Sequence, residues 1–147
     1  MFIEKRRKAA GMLTELLEKI PGIYVPREKP DRKHVYYIYA IQIESRETGW
    51  TRDEFIKALN AEGITARRGY HVPLYKTKLF RNIENERLNH MARMVTYPNY
   101  CALSLKNTEY LAANTVWLPM YPDITSEEIQ CIAKAIEKLI RWRRKRT

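Results

Sequence analysis

One short segment, residues 67–75, stands out because it combines several kinds of side chain that could bind a polar ligand. In order, the segment carries Arg67, Arg68, Tyr70, His71 and Tyr75. Guanidinium groups suit planar anions such as phosphate or carboxylate, and a tyrosine offers ring area and a hydroxyl to a sugar-like ligand. Gly69 and Pro73 interrupt the segment and favour a turn. Composition alone allows a ligand site and a surface loop packed on its own rings equally.

The rest of the sequence contains no motif with recognised chemistry. A Gly-rich phosphate loop, HExxH, CxxC and a nucleophile elbow are all missing from it. His34, His71 and His90 are widely spaced, and a lone histidine is usually a structural or surface residue. Cys101 and Cys131 are too few and too far apart for a disulfide scaffold or a zinc site. We therefore expect reduced thiols, no metal site and no catalytic residue in this chain.

The chain is strongly basic, with 27 Lys and Arg against 17 Asp and Glu, a net charge of +10. Much of the excess lies at residues 5–8 and 141–146. Such an excess can indicate a nucleic-acid or phosphate partner, so a basic nucleic-acid-binding protein is one hypothesis. The alternative is a solvated helix face ending in a basic tail, because Lys and Arg offset the dipole at the last turn of a helix. We favour this alternative and do not expect nucleic acid as the partner.

Hydrophobic residues make up 45% of the 147 residues and charged residues 30%, which supports a packed core in one domain. No apolar run is long enough to span a bilayer. The basic N-terminus is not followed by the apolar run of a signal peptide. We expect a cytoplasmic protein that does not contact a membrane.

Hydrophobic periodicity predicts the elements that position residues 67–75. Helices are predicted over 3–20, from Thr51 to Gly63, over 86–94, over 108–113 and after Thr125, and strands over 34–43, 64–68 and 115–118. Thr51 and Thr125 each begin a capping box. The first strand is apolar on both faces and is therefore expected in the centre of its sheet. Three strands with helices on one side predict an α+β two-layer sandwich with a small, mostly antiparallel three-stranded sheet.

The order and spacing of these pieces resemble the C-terminal part of the DegT/DnrJ/StrS-type sugar aminotransferases, which depend on pyridoxal phosphate (PLP). The matching pieces are a helix ending in IPGI, the strand HVYYIYAI, the helix RDEFIKALNAEGI, the segment GYHVPLYKTKLF, the strand TVWLPMYPDIT and the helix EEIQCIAKAIEKL. Members of this family transfer an amino group to nucleotide-linked keto-sugars for cell-surface polysaccharides and antibiotic sugars.

The resemblance implies that residues 1–147 are an aminotransferase C-terminal small domain, with 1–22 as a leading helix and 141–147 as a basic tail. Complete members begin with a large domain that supplies the PLP-binding lysine. We therefore expect no PLP on this chain alone and no activity in isolation, and a separate large PLP-binding chain as partner. Self-association and a nucleotide-sugar ligand are further expectations. A free-standing accessory or sugar-nucleotide-binding module is the alternative.

The resemblance also suggests roles within residues 67–75. In the family, the segment like GYHVPLY lies at the mouth of the cofactor cleft, which makes Tyr70, His71 and Tyr75 substrate-side candidates. The preceding Arg67 and Arg68 are the anion-binding candidates. We expect all five side chains to form one exposed cluster at the end of the second predicted strand.

Overall fold

The computed structural model describes residues 1–83 and 94–146 of the chain. The chain divides into two compact units. The sheet unit comprises Met1–Gly69 and Asn114–Thr147, and the loop unit comprises Tyr70–Ala113. Almost all of the helix predicted over 86–94 lies outside the described residues.

The described part of the sheet unit contains three longer helices, which follow the predicted periodicity closely, and one short helix. They are α1 (Phe2–Leu17), α2 (Ser45–Thr48), α3 (Arg52–Ala61) and α6 (Ser126–Arg144). Both predicted capping boxes are confirmed, with Thr51 capping α3 and Thr125 capping α6. Gly63 follows α3 with φ +83°, a left-handed conformation that glycine adopts without penalty. The unpredicted α2 is a single turn, too short for a periodic signal.

The sheet has four strands, so the predicted count of three is wrong. The strands are β1 (Ile23–Tyr24), β2 (Tyr39–Ile43), β3 (Arg67–Arg68) and β4 (Thr115–Leu118). They lie in the order β1-β2-β4-β3, and every neighbouring pair is antiparallel. The additional strand β1 is only two residues long, which leaves no alternation to detect. The antiparallel α+β class and the position of β4 are confirmed.

Two predicted strands are shorter than their patterns indicated. In the first, Tyr36 adopts φ +46°, which ends the extended conformation, and only Tyr39–Ile43 pair in the sheet. The strand is nevertheless central, between β1 and β4, as predicted. In the second, the side chain of Asn60 exchanges hydrogen bonds of 3.0 and 3.2 Å with the backbone of Ala66. The Asn60 side chain thus forms the hydrogen bonds that a neighbouring strand would otherwise form with Ala66. The strand β3 therefore begins only at Arg67.

One face of the sheet belongs to the hydrophobic core. Tyr39, Ile41 and Ile43 are fully buried, whereas the alternate residues of β2 are half-buried. The same core cluster contains the apolar stripes of three helices, which are Ala9, Ala10, Leu13 and Leu17 of α1, Phe55, Ile56 and Leu59 of α3, and Ile129, Ile132, Ala133, Ile136, Leu139 and Ile140 of α6. Burial raises the pKa of the Tyr39 phenol to about 12, and this phenol shares a 2.7 Å hydrogen bond with the Thr14 hydroxyl.

The loop unit contains a 3₁₀ turn at Leu74–Lys76, a short α4 (Lys78–Arg81) and α5 (Lys106–Asn114), whose last residue belongs to the sheet unit. The helix predicted over 108–113 is thus confirmed and is slightly longer. In the described part of this unit only Tyr75 and Ala112 are buried among the apolar residues. None of the described helices is long and apolar enough to cross a membrane.

Candidate functional site

The five predicted site residues are divided between the two units. Arg67 and Arg68 form β3 of the sheet unit, opposite Trp117 and Val116 of β4, and both arginine side chains are exposed. The other three candidates, Tyr70, His71 and Tyr75, belong to the loop unit.

Arg68 is already bound by a carboxylate. Its guanidinium donates to both oxygens of Asp53, at 3.0 and 2.8 Å. Asp53 also accepts from Arg52 at 2.8 Å, and these contacts, that of Arg52 first, lower the pKa of Asp53. An anion would have to compete with Asp53 for Arg68. No described carboxylate pairs with Arg67, which leaves Arg67 the more available of the two arginines.

Gly69 lets the chain pass close to β4 directly after β3. A Cβ atom at this position would lie 2.9 Å from Nε1 of Trp117 and 3.2 Å from Cγ2 of Thr115. Separations this short are repulsive, so a larger residue would displace the chain or the indole. Glycine is therefore required here by the close approach of the backbone to β4.

Tyr75 is buried, contrary to the expectation that all five candidates are exposed. Tyr70 is 82% exposed and His71 is also exposed, but only 6% of Tyr75 is accessible. The Tyr75 hydroxyl donates to Glu109 and accepts from the backbone N–H of Leu105 at 3.2 Å. The turn at Leu74–Lys76 directs this phenol toward α5. The hydrogen-bond partners of Tyr75 therefore come from the C-terminal part of the loop unit.

Glu109 is the centre of this polar cluster and was not identified from the sequence. It accepts from Tyr75, from Nζ of Lys76 at 2.9 Å and from the Ser104 hydroxyl at 3.3 Å. These contacts, the hydrogen bond from Tyr75 first and Lys76 next, lower the pKa of Glu109 to about 2. A lone glutamate near the start of a helix carries no sequence signal for partners some 30 residues away.

The described residues do not fit the lysine site of PLP. A lysine that forms a Schiff base must give up its proton, which burial in an apolar pocket favours. No described lysine is buried. The hydrogen bond to Glu109 raises the pKa of Lys76, which is the opposite of what a Schiff-base lysine needs.

The described residues also form neither a metal-binding cluster nor a disulfide. Among the described residues no group of three or more His, Cys, Asp and Glu could hold a metal ion. Cys101 and Cys131 are free and exposed.

The basic C-terminal end is engaged in contacts within the chain. Arg143 lies over the Trp50 ring, 4.7 Å from its centroid, and donates to the Gly49 carbonyl at 2.9 Å. Arg146 lies 4.3 Å from the centroid of the Trp142 ring. The helix α6 extends through Arg144. Cation–π contacts of this kind account for part of the basic cluster without a nucleic acid.

Comparison with known proteins places this fold in a family. The sequence model of the DegT/DnrJ/EryC1/StrS aminotransferase family matches residues 1–137. The spore coat polysaccharide biosynthesis protein SpsC of Bacillus subtilis is 24% identical over 142 residues, which cover 94% of this chain and 32% of that protein. The UDP-N-acetyl-3-dehydro-alpha-D-glucosamine 3-aminotransferase of Acidithiobacillus ferrooxidans is 29% identical over 139 residues, covering 95% of this chain and 31% of that protein.

A solved structure agrees with the sequence comparison. NtdA from Bacillus subtilis with bound cofactor PMP has a TM-score of 0.69 at 22% identity, covering 93% of this chain and 28% of the other. The chain spans about a third of the length of the curated relatives it matches. Since the family match extends over nearly all of the sequence, the chain belongs to the DegT/DnrJ/EryC1/StrS aminotransferase family.

Proposed function

We propose that this chain is the small domain of a sugar aminotransferase and forms the substrate side of its active site. Another stretch of polypeptide, in the same protein or in a separate large PLP-binding chain, supplies the lysine that holds PLP. The observation that carries this proposal is the family match over residues 1–137. The lysines of the described structure, none of them buried, add support.

Within this proposal, Tyr70 and His71 contact the substrate. Both are exposed, and a phenol and an imidazole can each donate to and accept from sugar hydroxyls. Tyr75 acts as an anchor that holds the segment through Glu109. Arg67 is the primary candidate for an anionic group of the substrate, and Arg68 is a secondary one because of its pair with Asp53.

The relatives suggest the substrate and the cofactor. The relative from Acidithiobacillus ferrooxidans is named for a UDP-linked keto-sugar, and NtdA carries PMP. We propose a nucleotide-linked keto-sugar as the amino acceptor and PLP, bound outside this chain, as the carrier of the amino group. A cytoplasmic location and self-association are part of the same proposal.

A chimera tests the proposal directly. The final third of the Acidithiobacillus ferrooxidans enzyme is replaced by this chain, and transfer of an amino group to its UDP-keto-sugar is measured. The chimera is expected to keep a lysine-dependent visible absorbance band of PLP and measurable transfer. In a Tyr70→Ala, His71→Ala variant of the chimera, kcat/KM should fall at least about tenfold with the band intact.

PLP binding by the isolated chain is the complementary experiment. Incubated with PLP and then freed of excess cofactor, the 147-residue chain should show no visible band that depends on a lysine. A stable band that disappears when one lysine is replaced would overturn the proposal. A folded chimera that keeps the band but transfers no amino group would also count against it.

A further inference from the structure

A concave surface of about 300 Å³ lies on the sheet unit, apart from the residues of the proposed substrate side. Its lining comes from one stretch of chain, namely Arg27, Glu28, Lys29, Arg32, Lys33 and His34. We call this stretch the 27–34 loop. Four of its lining residues are permanently cationic and one is acidic. Such a concentration of positive charge around a concavity favours the entry of an anion.

The acidic member, Glu28, is neutralised by Arg7, which lies outside the loop. Arg7 of α1 donates to its Oε1 at 3.1 Å and to the carbonyl of His34 at 2.7 Å. Glu28 Oε2 also accepts the backbone N–H of His34 at 2.7 Å. The hydrogen bond from Arg7, followed by that from the His34 backbone, lowers the pKa of Glu28 to about 2. Because its carboxylate is committed to these donors, Glu28 fixes the shape of the loop and repels an incoming anion less.

Lys29 and Arg32 lie at the two ends of a β-turn. The backbone N–H of Arg32 donates to the carbonyl of Lys29 at 3.2 Å, with Pro30 as the second residue of the turn, the position that proline favours. Arg32 is paired with its neighbour Asp31 at 3.2 Å. Exposed pairs of this kind contribute little and exchange readily.

The side chains of Arg27 and Lys29 differ in their pairing from the other two cations of the loop. Both side chains line the concavity, and no described carboxylate pairs with either of them. Lys33, in contrast, is paired with Glu4 at 2.8 Å. Arg27 and Lys29, which both line the concavity and have no described acidic partner, are therefore available to a ligand.

His34 is held in one orientation by an unusual backbone. The N–H of Tyr36 donates to Nδ1 of His34 at 2.9 Å, and the two rings lie 4.2 Å apart. Tyr36 adopts φ +46° at this contact, a region that residues other than glycine enter mainly at turns and functional sites. With Nδ1 accepting a hydrogen bond, the neutral imidazole carries its proton on Nε2, so the free nitrogen is a donor.

We propose that the 27–34 loop binds a phosphate or diphosphate group, with Arg27, Lys29 and Nε2 of His34 as its donors. The guanidinium matches the oxygens of a phosphate and the ammonium adds a point charge. The concavity is open to solvent, so binding of the isolated group is weak and depends on salt. The inference does not rest on the proposed transfer reaction, since the loop needs no cofactor to bind an anion.

The test is a titration of the 147-residue chain followed by amide chemical shifts at constant ionic strength. Inorganic diphosphate is the probe, with UDP and uridine as further arms. Diphosphate and UDP should shift residues 27–36, and uridine should not. Binding of UDP with the same affinity as diphosphate would assign recognition to the phosphates alone, and tighter binding of UDP would identify a nucleotide as the source of the group.

Two double variants with equal loss of charge complete the test. Arg27→Gln with Lys29→Gln should weaken diphosphate binding at least about fivefold. Lys134→Gln with Arg144→Gln, on α6, should change it less than about twofold. Equal weakening in both variants, or shifts confined to residues 141–146, would overturn the proposal. A single-stranded oligonucleotide that binds through the loop much more tightly than diphosphate would replace it with a nucleic-acid site.

Discussion

The phenol of Tyr75 donates a hydrogen bond to the carboxylate of Glu109, which lies 34 positions further along the chain. The same phenol accepts the backbone N–H of Leu105, and the same carboxylate accepts from Lys76 and Ser104. One pair of residues therefore connects the beginning and the end of the loop unit. Few other described side chains of this unit are buried, and a ring contact between Phe80 and Tyr100, 5.3 Å between centroids, also joins its two ends.

Removing the Tyr75 hydroxyl should loosen the loop unit. In Tyr75→Phe the Glu109 carboxylate and the Leu105 N–H lose their shared partner, and unsatisfied groups are costly when partly buried. Amide hydrogen-exchange protection in the loop unit should fall about tenfold. Tyr37→Phe, which changes a tyrosine of the sheet unit that is 73% exposed, is the matched control and should leave protection in the loop unit unchanged. Equal protection in the wild type and Tyr75→Phe would contradict the role of the pair.

Lowering the pH should destabilise the loop unit because Glu109 becomes protonated. Its pKa is lowered from 4.5 to about 2 in the folded chain, first by the hydrogen bond from Tyr75 and then by Lys76. A lowered pKa stabilises the fold above the unfolded value, and this contribution is lost as the pH falls from about 4.5 toward 2. Exchange protection in the loop unit should decrease over this range. In Glu109→Gln the dependence should disappear, whereas Glu28→Gln, in the sheet unit, should preserve it.

Three glycine substitutions should change the free energy of unfolding by different amounts. The amounts depend on the backbone conformation and on the space around an added Cβ. Gly22 has φ +82°, and an added Cβ would lie 2.5 Å from Cγ2 of Thr48, so Gly22→Ala should reduce the free energy of unfolding by roughly 3 kcal/mol. Gly63 has φ +83° with open space around it, so Gly63→Ala should cost only about 1 kcal/mol. Gly11 is exposed within α1 with no atom nearby, so Gly11→Ala should stabilise by about 0.5–1 kcal/mol. Denaturant unfolding measures all three, and any other order contradicts this account.

Apolar side chains of the loop unit should cause the chain to self-associate. Leu74 and Leu79 are 69% and 60% exposed, and exposed apolar surface promotes association. Sedimentation coefficients should rise with concentration, and Leu74→Ser with Leu79→Ser should reduce the increase. Asn107→Ser, which changes an exposed polar residue of the same unit, is the control and should have little effect. A monomer at all concentrations would refute this prediction.

The three longer helices of the sheet unit were predicted well because their signals are local or periodic, whereas the short α2 and α4 were not predicted. The six apolar positions of α6 repeat at helical spacing, and all six are buried. A capping box needs only residues three apart, and the boxes at Thr51 and Thr125 both form. Strands were predicted less well. The apolar alternation begins at residue 34, but the backbone turns at Tyr36, before the strand begins. Val35 and Tyr37 belong to the alternation and are exposed, so the pattern extends beyond the sheet.

For the candidate site, the sequence by itself determined which residue types stand in 67–75 and, through the order of its short motifs, the family. Only the tertiary structure decided which of those side chains are available, since Tyr75 is buried against α5 and Arg68 is held by Asp53. It also revealed the cationic concavity of the 27–34 loop. The physical reason is that a hydrogen bond or ion pair depends on distances between residues far apart in the chain, such as Arg7 and Glu28 or Tyr75 and Glu109. Packing sets those distances, and no local pattern of residues encodes them.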